Sequence, residues 1–300
     1  VFQTVALVGR ADDERITTLV ADIASHLHSR GRQVLVDPAL ANGLPAYVNR
    51  VPEAHFAHSA ELLLAIGGDG TLLHAARLAL AAPEPCPVLG VNRGRLGFLA
   101  DIRPGEMADR LDEVLGGDFE RDERRLLEAR LETPGTAARS MLALNDVVLQ
   151  NDQPGRMLDL ESSVDGRYVN THGGDGLIVA TATGSTAYAL SCGGPILQPD
   201  LDVIVVVPIC PHTLSDRPLV LRRESRVEVR LVPRARARAV VICDGVTLGE
   251  MVPGGLLSVG PSSARLALLH PPGYDYFRVL RSKLHWGRGA HPLPQDGPSD

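Results

Sequence analysis

The run Glu61-Leu62-Leu63-Leu64-Ala65-Ile66-Gly67-Gly68-Asp69-Gly70-Thr71-Leu72-Leu73-His74 takes an apolar strand into three glycines set around one acid, and then into an amphipathic helix. Glycines let a backbone approach phosphate oxygens closely, and the first turn of the following helix offers unpaired N–H groups and a positive dipole end to an anion. That layout suits phosphate chemistry. A carboxylate in its middle is electrostatically costly unless it takes a proton from a nucleophile or helps to hold a divalent cation. Asp69 therefore reads either as a general base or as the N-cap of a helix starting near Thr71, a common task for Asp in a glycine-rich turn.

Two further blocks share this character. Gly90-Val91-Asn92-Arg93-Gly94-Arg95-Leu96-Gly97-Phe98-Leu99 again follows a buried strand, at the carboxyl end where open α/β sheets place ligands. Arg93 and Arg95 are candidate phosphate contacts, set against the commoner reading of a loop arginine as solvated. In residues 175–191 a strand ends in Thr183-Gly184-Ser185-Thr186 and opens a helix, which predicts a second anion-ready terminus with hydroxyls aimed at a ligand. No Lys-Ser/Thr follows the glycines as in a Walker A loop, and no GxGxxG, HExxH or GxSxG occurs.

The elements that must position these blocks come in two styles. From Val1 to about Gly116, short apolar runs (Val5-Ala6-Leu7-Val8, Gln33-Val34-Leu35-Val36, Leu62 to Ile66, Val88 to Val91) alternate with amphipathic stretches. This rhythm predicts a mainly parallel, Rossmann-like sheet covered by helices. Beyond Gly117 the period becomes two, as in Val227-Glu228-Val229-Arg230-Leu231, and Asp165-Gly166 and Asp244-Gly245 read as type I′ hairpin turns. The reading is an α/β domain over residues 1–117, a mostly antiparallel all-β domain over 118–269, and a C-terminal helix with Phe277, Leu280 and Leu284 on its apolar face returning to the first domain over 270–288. Residues 289–300 read as a frayed, Pro-rich tail.

Composition narrows the partners. The 300 residues match about two domains at ~150 each. Thirty Lys and Arg against 36 Asp and Glu leave a net charge of −6, so a general affinity for nucleic acid or anionic lipid is not expected. Cys86, Cys192, Cys210 and Cys243 stand far apart with no CxxC pair, which predicts a reduced, cytoplasmic setting. No apolar run approaches the ~20 residues of a membrane span, and Val1-Phe2-Gln3-Thr4-Val5 lacks the basic region of an export signal. The ten histidines are scattered, and even His55-Phe56-Ala57-His58 lacks a third metal ligand nearby in sequence. Arg234, Arg236 and Arg238 alternate as on a solvated strand face.

Gly67-Gly68-Asp69-Gly70-Thr71, the loop at 92–99, Asn145-Asp146, and Thr183-Gly184-Ser185-Thr186-Ala187-Tyr188 followed by Gly193-Gly194-Pro195 resemble, in this order and over nearly the whole chain, the bacterial NAD kinases. The first motif is shared with diacylglycerol, sphingosine and phosphofructokinase relatives; the third and fourth are narrower. The resemblance implies transfer of the γ-phosphoryl group of ATP, or of another phosphoryl donor, to the 2′-hydroxyl of the adenosine ribose of NAD. It implies Asp69 as proton acceptor and Gly67, Gly68, Gly70 and Thr71 as contacts to donor phosphates and substrate. Asn145 and Asp146 would hydrogen-bond the dinucleotide, Thr186, Ala187 and Ser191 would line its pocket, Tyr188 would lie near the nicotinamide half, and Arg156 would contact substrate. Asp175 matches an acid that reaches a neighbouring subunit's site, which implies a homodimer or homotetramer. A divalent cation, Mg²⁺ by preference, would bind with the donor, with no protein side chain assigned to it.

Two positions depart from the family's pattern. Ala182 stands where a proline is usual, which frees a fixed φ, and Gly173 stands where Arg or Lys is common, which removes a charge. The competing functions are a lipid or sugar kinase of the same superfamily, which has no need of Asn145-Asp146, and a non-catalytic NAD(P)-binding sensor, against which the intact Asp69 argues.

Overall fold

The computed structural model describes residues 1–94, 97–100, 102–152, 157–213, 215–233 and 237–286. Arg95, Arg156, Arg234, Arg236 and the tail all lie outside the described residues. The chain divides into two compact units, Val1–Asp122 with the residues from Ala267 onward, and Glu123–Leu266.

The first unit is built on a parallel sheet. Val88–Asn92, Leu62–Gly67, Thr4–Gly9, Gln33–Val36 and Asn49–Arg50 lie side by side in that order, and Leu268 and Leu269 pair in parallel with Val88 and Leu89. Leu62–Gly67 and Val88–Asn92 are buried at every position, as continuous apolar strands covered on both faces must be. The helix Glu14–Ser29 shows the local logic. Asp13 accepts the Arg15 N–H at its start, and Ile16, Leu19, Val20, Ile23 and Leu27 form its buried stripe. The strand order reverses direction at Thr4–Gly9, so the carboxyl ends of Thr4–Gly9 and Leu62–Gly67 flank a topological switch point, where such sheets bind ligands. The helix Tyr276–Leu284 belongs to this unit, but its buried residues are Val279 and Leu280, while Phe277 is exposed. Its Lys283 ammonium lies 5.7 Å over the Phe98 ring of the second glycine loop.

The second unit is antiparallel. Six strands run in the order Leu219–Arg222, Val203–Ile209, Gly176–Thr181, Asp146–Asn151, Ala239–Cys243 and Val246–Met251. Arg167–Gly174, Leu158–Val164 and Val227–Leu231 form a second layer with Leu256 to Val259. Val147, Leu149, Leu177 and Val179 join Leu160, Val227 and Val229 in one core, while Val148, Ile178 and Ala180 point to a second cluster with Ala182, Ala189 and Leu197. Alternation along each strand thus feeds two cores from one sheet. Asp165 and Gly166 (φ 52° and 75°) and Asp244 and Gly245 (φ 47° and 78°) adopt the two successive positive φ values of the expected turns.

Ala182 follows the strand Gly176–Thr181 with φ −57° and ψ −39°. Proline requires φ near −65 ± 15° and an extended residue before it, and both conditions hold. Ala182→Pro should therefore stabilise the protein by about 0.4–1 kcal/mol and leave turnover within a few fold. A clear fall in melting temperature would show that the junction rejects the ring.

Candidate active site

In the first unit, Gly67 ends its strand with φ +157°, and a Cβ on it would lie 2.3 Å from Thr71 Oγ1. Gly68, not Asp69, is the N-cap of the helix Asp69–Ala79, and no side chain caps it. The capping role weighed for Asp69 is therefore not the one it plays. Its carboxylate instead reaches the second glycine loop, where Oδ2 accepts the Phe98 N–H at 3.0 Å and Oδ1 the Leu99 N–H at 3.1 Å. A Cβ on Gly97 would sit 2.0 Å from Asp69 Oδ1, so this bond requires glycine there. Asn92, buried at the end of its strand, shapes the same loop by accepting the Gly94 N–H at 3.0 Å and donating to the Ala100 carbonyl at 3.3 Å.

Beside this latch lies a cleft of about 420 Å³, bordered by Gly9, Gly68, Gly70 and Thr71 and by the basic side chains of Arg10, Arg93 and His74. Each of the three faces an acid: Arg10 meets Asp12 at 2.7 Å, Arg93 meets Asp13, and His74 Nε2 lies 3.0 Å from Glu53. Exposed pairs of this kind contribute ~0–1 kcal/mol, so these side chains are held only weakly. Arg93 is thus held by an acid beside the cleft rather than freely solvated.

In the second unit, Asn145 and Asp146 open the strand Asp146–Asn151 and are only 8% and 6% exposed. Asn145 Oδ1 finds no hydrogen-bond partner among the described residues. Burial first, and then the charge of Asp244, push the Asp146 carboxyl up to about 7, opposed by a hydrogen bond from the Tyr188 N–H. Asp244 accepts the N–H groups of Leu144, Asn145 and Asp146 at 2.6, 2.8 and 3.1 Å. From the other side Thr181 donates its N–H to the Asn145 carbonyl at 2.9 Å, and a Cβ on Gly184 would stand 2.0 Å from that same oxygen. Tyr188 is 41% exposed, and its phenol is pushed up by partial burial, then by Cys192, Cys210 and Asp175. Asp146, Tyr188 and Asp175 thus face common ground in this unit.

The residues 183–191 depart from expectation. They form a single 3-10 turn, Thr183–Thr186, and a helix of only four residues, Tyr188–Ser191, too short to present a useful dipole. The Ser185 hydroxyl is spent internally, donating to the Ala182 carbonyl at 2.7 Å and accepting the Leu197 N–H at 2.9 Å. Thr183 Oγ1 accepts from Arg124 at 3.1 Å, and Arg124 is only 2% exposed. Thr186, Ala187 and Ser191 lie nearer the surface, and Asp175 is exposed beside Cys210. Sequence reasoning missed three contributors: Arg124, concealed in the charged run Glu120-Arg121-Asp122-Glu123-Arg124-Arg125; Asp244, visible only as a turn residue; and the paired N–H groups of Phe98 and Leu99.

Comparison with known proteins places nearly the whole chain beside one family. Residues 5–119 match the family model of the ATP-NAD kinase N-terminal domain, and residues 144–270 that of the ATP-NAD kinase C-terminal domain. The NAD kinase of Methylococcus capsulatus is 41% identical over 285 residues, covering 95% of this chain and 98% of the relative. That of Acinetobacter baylyi is 41% identical over 288 residues, covering 96% and 93%. Among solved structures, yeast NADH kinase complexed with NADH superposes with a TM-score of 0.88 at 26% identity, covering 98% of this chain and 90% of that one. An NAD kinase from Archaeoglobus fulgidus in complex with ATP gives 0.70 at 25% identity, covering 93% and 98%.

The raised Asp146 carboxyl links pH to stability. Unfolded, it titrates near 3.9; folded, near 7, so the folded chain retains a proton that the unfolded chain releases between these values. Stability therefore falls as pH rises through that window and levels off above it, a penalty on the order of a few kcal/mol. Asp146→Asn removes the penalty, so its melting temperature relative to the parent protein should be higher at pH 8 than at pH 5. A difference that does not change with pH would remove the assigned proton.

Proposed function

The chain belongs to the ATP-NAD kinase family and is an NAD kinase, and we propose that it moves the γ-phosphoryl group of ATP to the 2′-hydroxyl of the adenosine ribose of NAD, with Asp69 accepting the hydroxyl proton. The observation that carries this role is the pair of N–H bonds to Asp69 from Phe98 and Leu99. They fix the direction of the carboxylate, yet occupy two of its roughly four lone-pair positions, leaving others for a hydroxyl. Phosphoryl transfer depends mostly on positioning and charge neutralisation, so one oriented base and a cationic cleft are the parts it requires.

In this reading Gly67, Gly68, Gly70 and Thr71, with Arg10, Arg93 and His74, receive the donor phosphates. Asn145, Asp146, Tyr188, Thr186, Ala187 and Ser191 bind the dinucleotide, and Arg156 and Asp175 take the substrate-contact and subunit-contact roles implied by the family resemblance. Among the described residues no three His, Cys, Asp or Glu side chains gather as a metal cage. This donor set fits Mg²⁺ in its usual mode, held largely by phosphates and water, with no protein side chain assigned to it. When bound, the cation neutralises charge on the transferring group. No helix of the described residues is long and apolar enough to cross a membrane, and the spread cysteines support a cytoplasmic enzyme.

A self-association surface is supported by an apolar patch in the second unit. Tyr168 and Val169 on one outer strand and Leu219 and Val220 on another line a shared groove, each exposed. Exposed apolar strand edges of this kind are normally covered. Val220→Asp should lower the mass measured in solution without lowering the melting temperature, and an unchanged mass would show that the chain assembles elsewhere or not at all.

NADP formation from NAD, with ATP, other nucleoside triphosphates and polyphosphate as alternative donors, tests the whole reading. ATP should support turnover, and failure of every donor would overturn it. Asp69→Asn should lower kcat by ~10²–10⁴-fold while NAD affinity stays within a few fold. A variant with near-normal kcat would strip Asp69 of its role as base.

A further inference from the structure

Asp244 is the second of two Asp-Gly turn acids in the antiparallel unit, and the demand of a turn for positive φ accounts for its backbone but not for its side chain. Its carboxylate accepts three N–H groups in succession, from Leu144 at 2.6 Å, Asn145 at 2.8 Å and Asp146 at 3.1 Å. The other turn acid, Asp165, accepts a single N–H, that of Arg226, at 2.8 Å. The three held residues include the two side chains to which the dinucleotide-binding reading assigns substrate contacts. On their far side Thr181 Oγ1 donates to the Leu144 carbonyl at 2.6 Å, so the short segment is gripped from both flanks. We propose that Asp244 is a positioning residue for the acceptor dinucleotide, its carboxylate fixing the backbone of Leu144, Asn145 and Asp146 and its charge facing the Asp146 carboxyl. This inference rests on the reading of Asn145 and Asp146 as NAD contacts.

Among the described residues, the groups that face Asp146 from the elements packed on it are few. Asp244 approaches from the hairpin turn, the Tyr188 N–H from the short helix, and Ala180 lies opposite on the neighbouring strand with no polar side chain. On the remaining flank Val147 pairs with the buried Cys243, next to Asp244 in the chain. Asp244 is therefore the one charge among these groups. It acts on binding in two ways: it holds Asn145 and Asp146 in place, and it discourages ionisation of Asp146. Ribose hydroxyls donate best to an ionised carboxylate, so NAD affinity should rise as pH increases through the region of 7, where Asp146 loses its proton.

The test is direct binding of NAD to the intact chain at pH 6, 7 and 8, followed without a phosphoryl donor, for the parent protein, Asp244→Asn and Asp165→Asn. Asn tolerates the left-handed turn conformation, so the turn itself survives. At pH 8 Asp244→Asn should weaken NAD binding roughly tenfold through lost charge-assisted hydrogen bonds, and it should move the pH step below its parental position. Asp165→Asn should alter neither. Parental affinity and an unmoved pH step in Asp244→Asn would overturn the proposal, whereas failure of the parent protein to bind NAD would overturn the dinucleotide reading beneath it. Should Asp244→Asn not fold, Asp146→Asn carries the test: its NAD affinity should lose the step near pH 7, and persistence of that step would sink the proposed coupling.

Discussion

A carboxylate that accepts two successive backbone N–H groups dictates where their loop must run, and the first unit is arranged around that constraint at Asp69. The N–H groups that Phe98 and Leu99 donate to it fix the second glycine loop against the first. Gly97 must lack a Cβ to allow the approach, and Gly90 must lack one because it would stand 2.7 Å from the Ala100 backbone. Asn92 completes the loop by bonding to Gly94 and Ala100. The glycines of both motifs are thus required as much by this closure as by any phosphate. The parallel sheet contributes by ending two adjacent strands, Leu62–Gly67 and Val88–Asn92, at the same level.

The antiparallel unit solves a related problem with the opposite chemistry. Asp69 is half-exposed and its carboxylate is oriented by two backbone donors, whereas Asp146 is buried beside another acid and keeps a proton to near neutrality. Backbone N–H groups make both arrangements possible, because they are fixed donors that need no side-chain ordering when a ligand arrives.

Much of the architecture was readable because it follows from periodicity. Continuous apolar runs announced the parallel strands, alternation announced Val227–Leu231, and the φ demands of Asp-Gly announced both hairpins. The site was readable only where its chemistry is local in sequence. The glycines around Asp69 stand next to it, but its hydrogen-bond donors lie 29 and 30 residues away, which is why capping remained an open alternative. The side chain of Asp244 serves residues 98 to 100 positions earlier, and the Arg124 guanidinium meets Thr183 across 59. No window of sequence contains such pairs. The helix expected after Thr186 shrank to four residues because Gly193, at φ +81°, turns the chain almost at once.

The cost of burying Leu144, Asn145 and Asp146 explains why this segment is gripped so firmly. Asn145 Oδ1 is buried without a partner among the described residues, and Asp146 is buried beside a like charge. A buried polar group left unsatisfied costs about 1–3 kcal/mol, so unaided this stretch would relax toward solvent and lose its geometry. Three N–H bonds to Asp244 and the bonds from Thr181 oppose that relaxation. Unmet polar capacity is a general source of selectivity, since a ligand with hydroxyls and amides in the right places recovers what folding sacrifices, while one lacking them leaves such groups stranded.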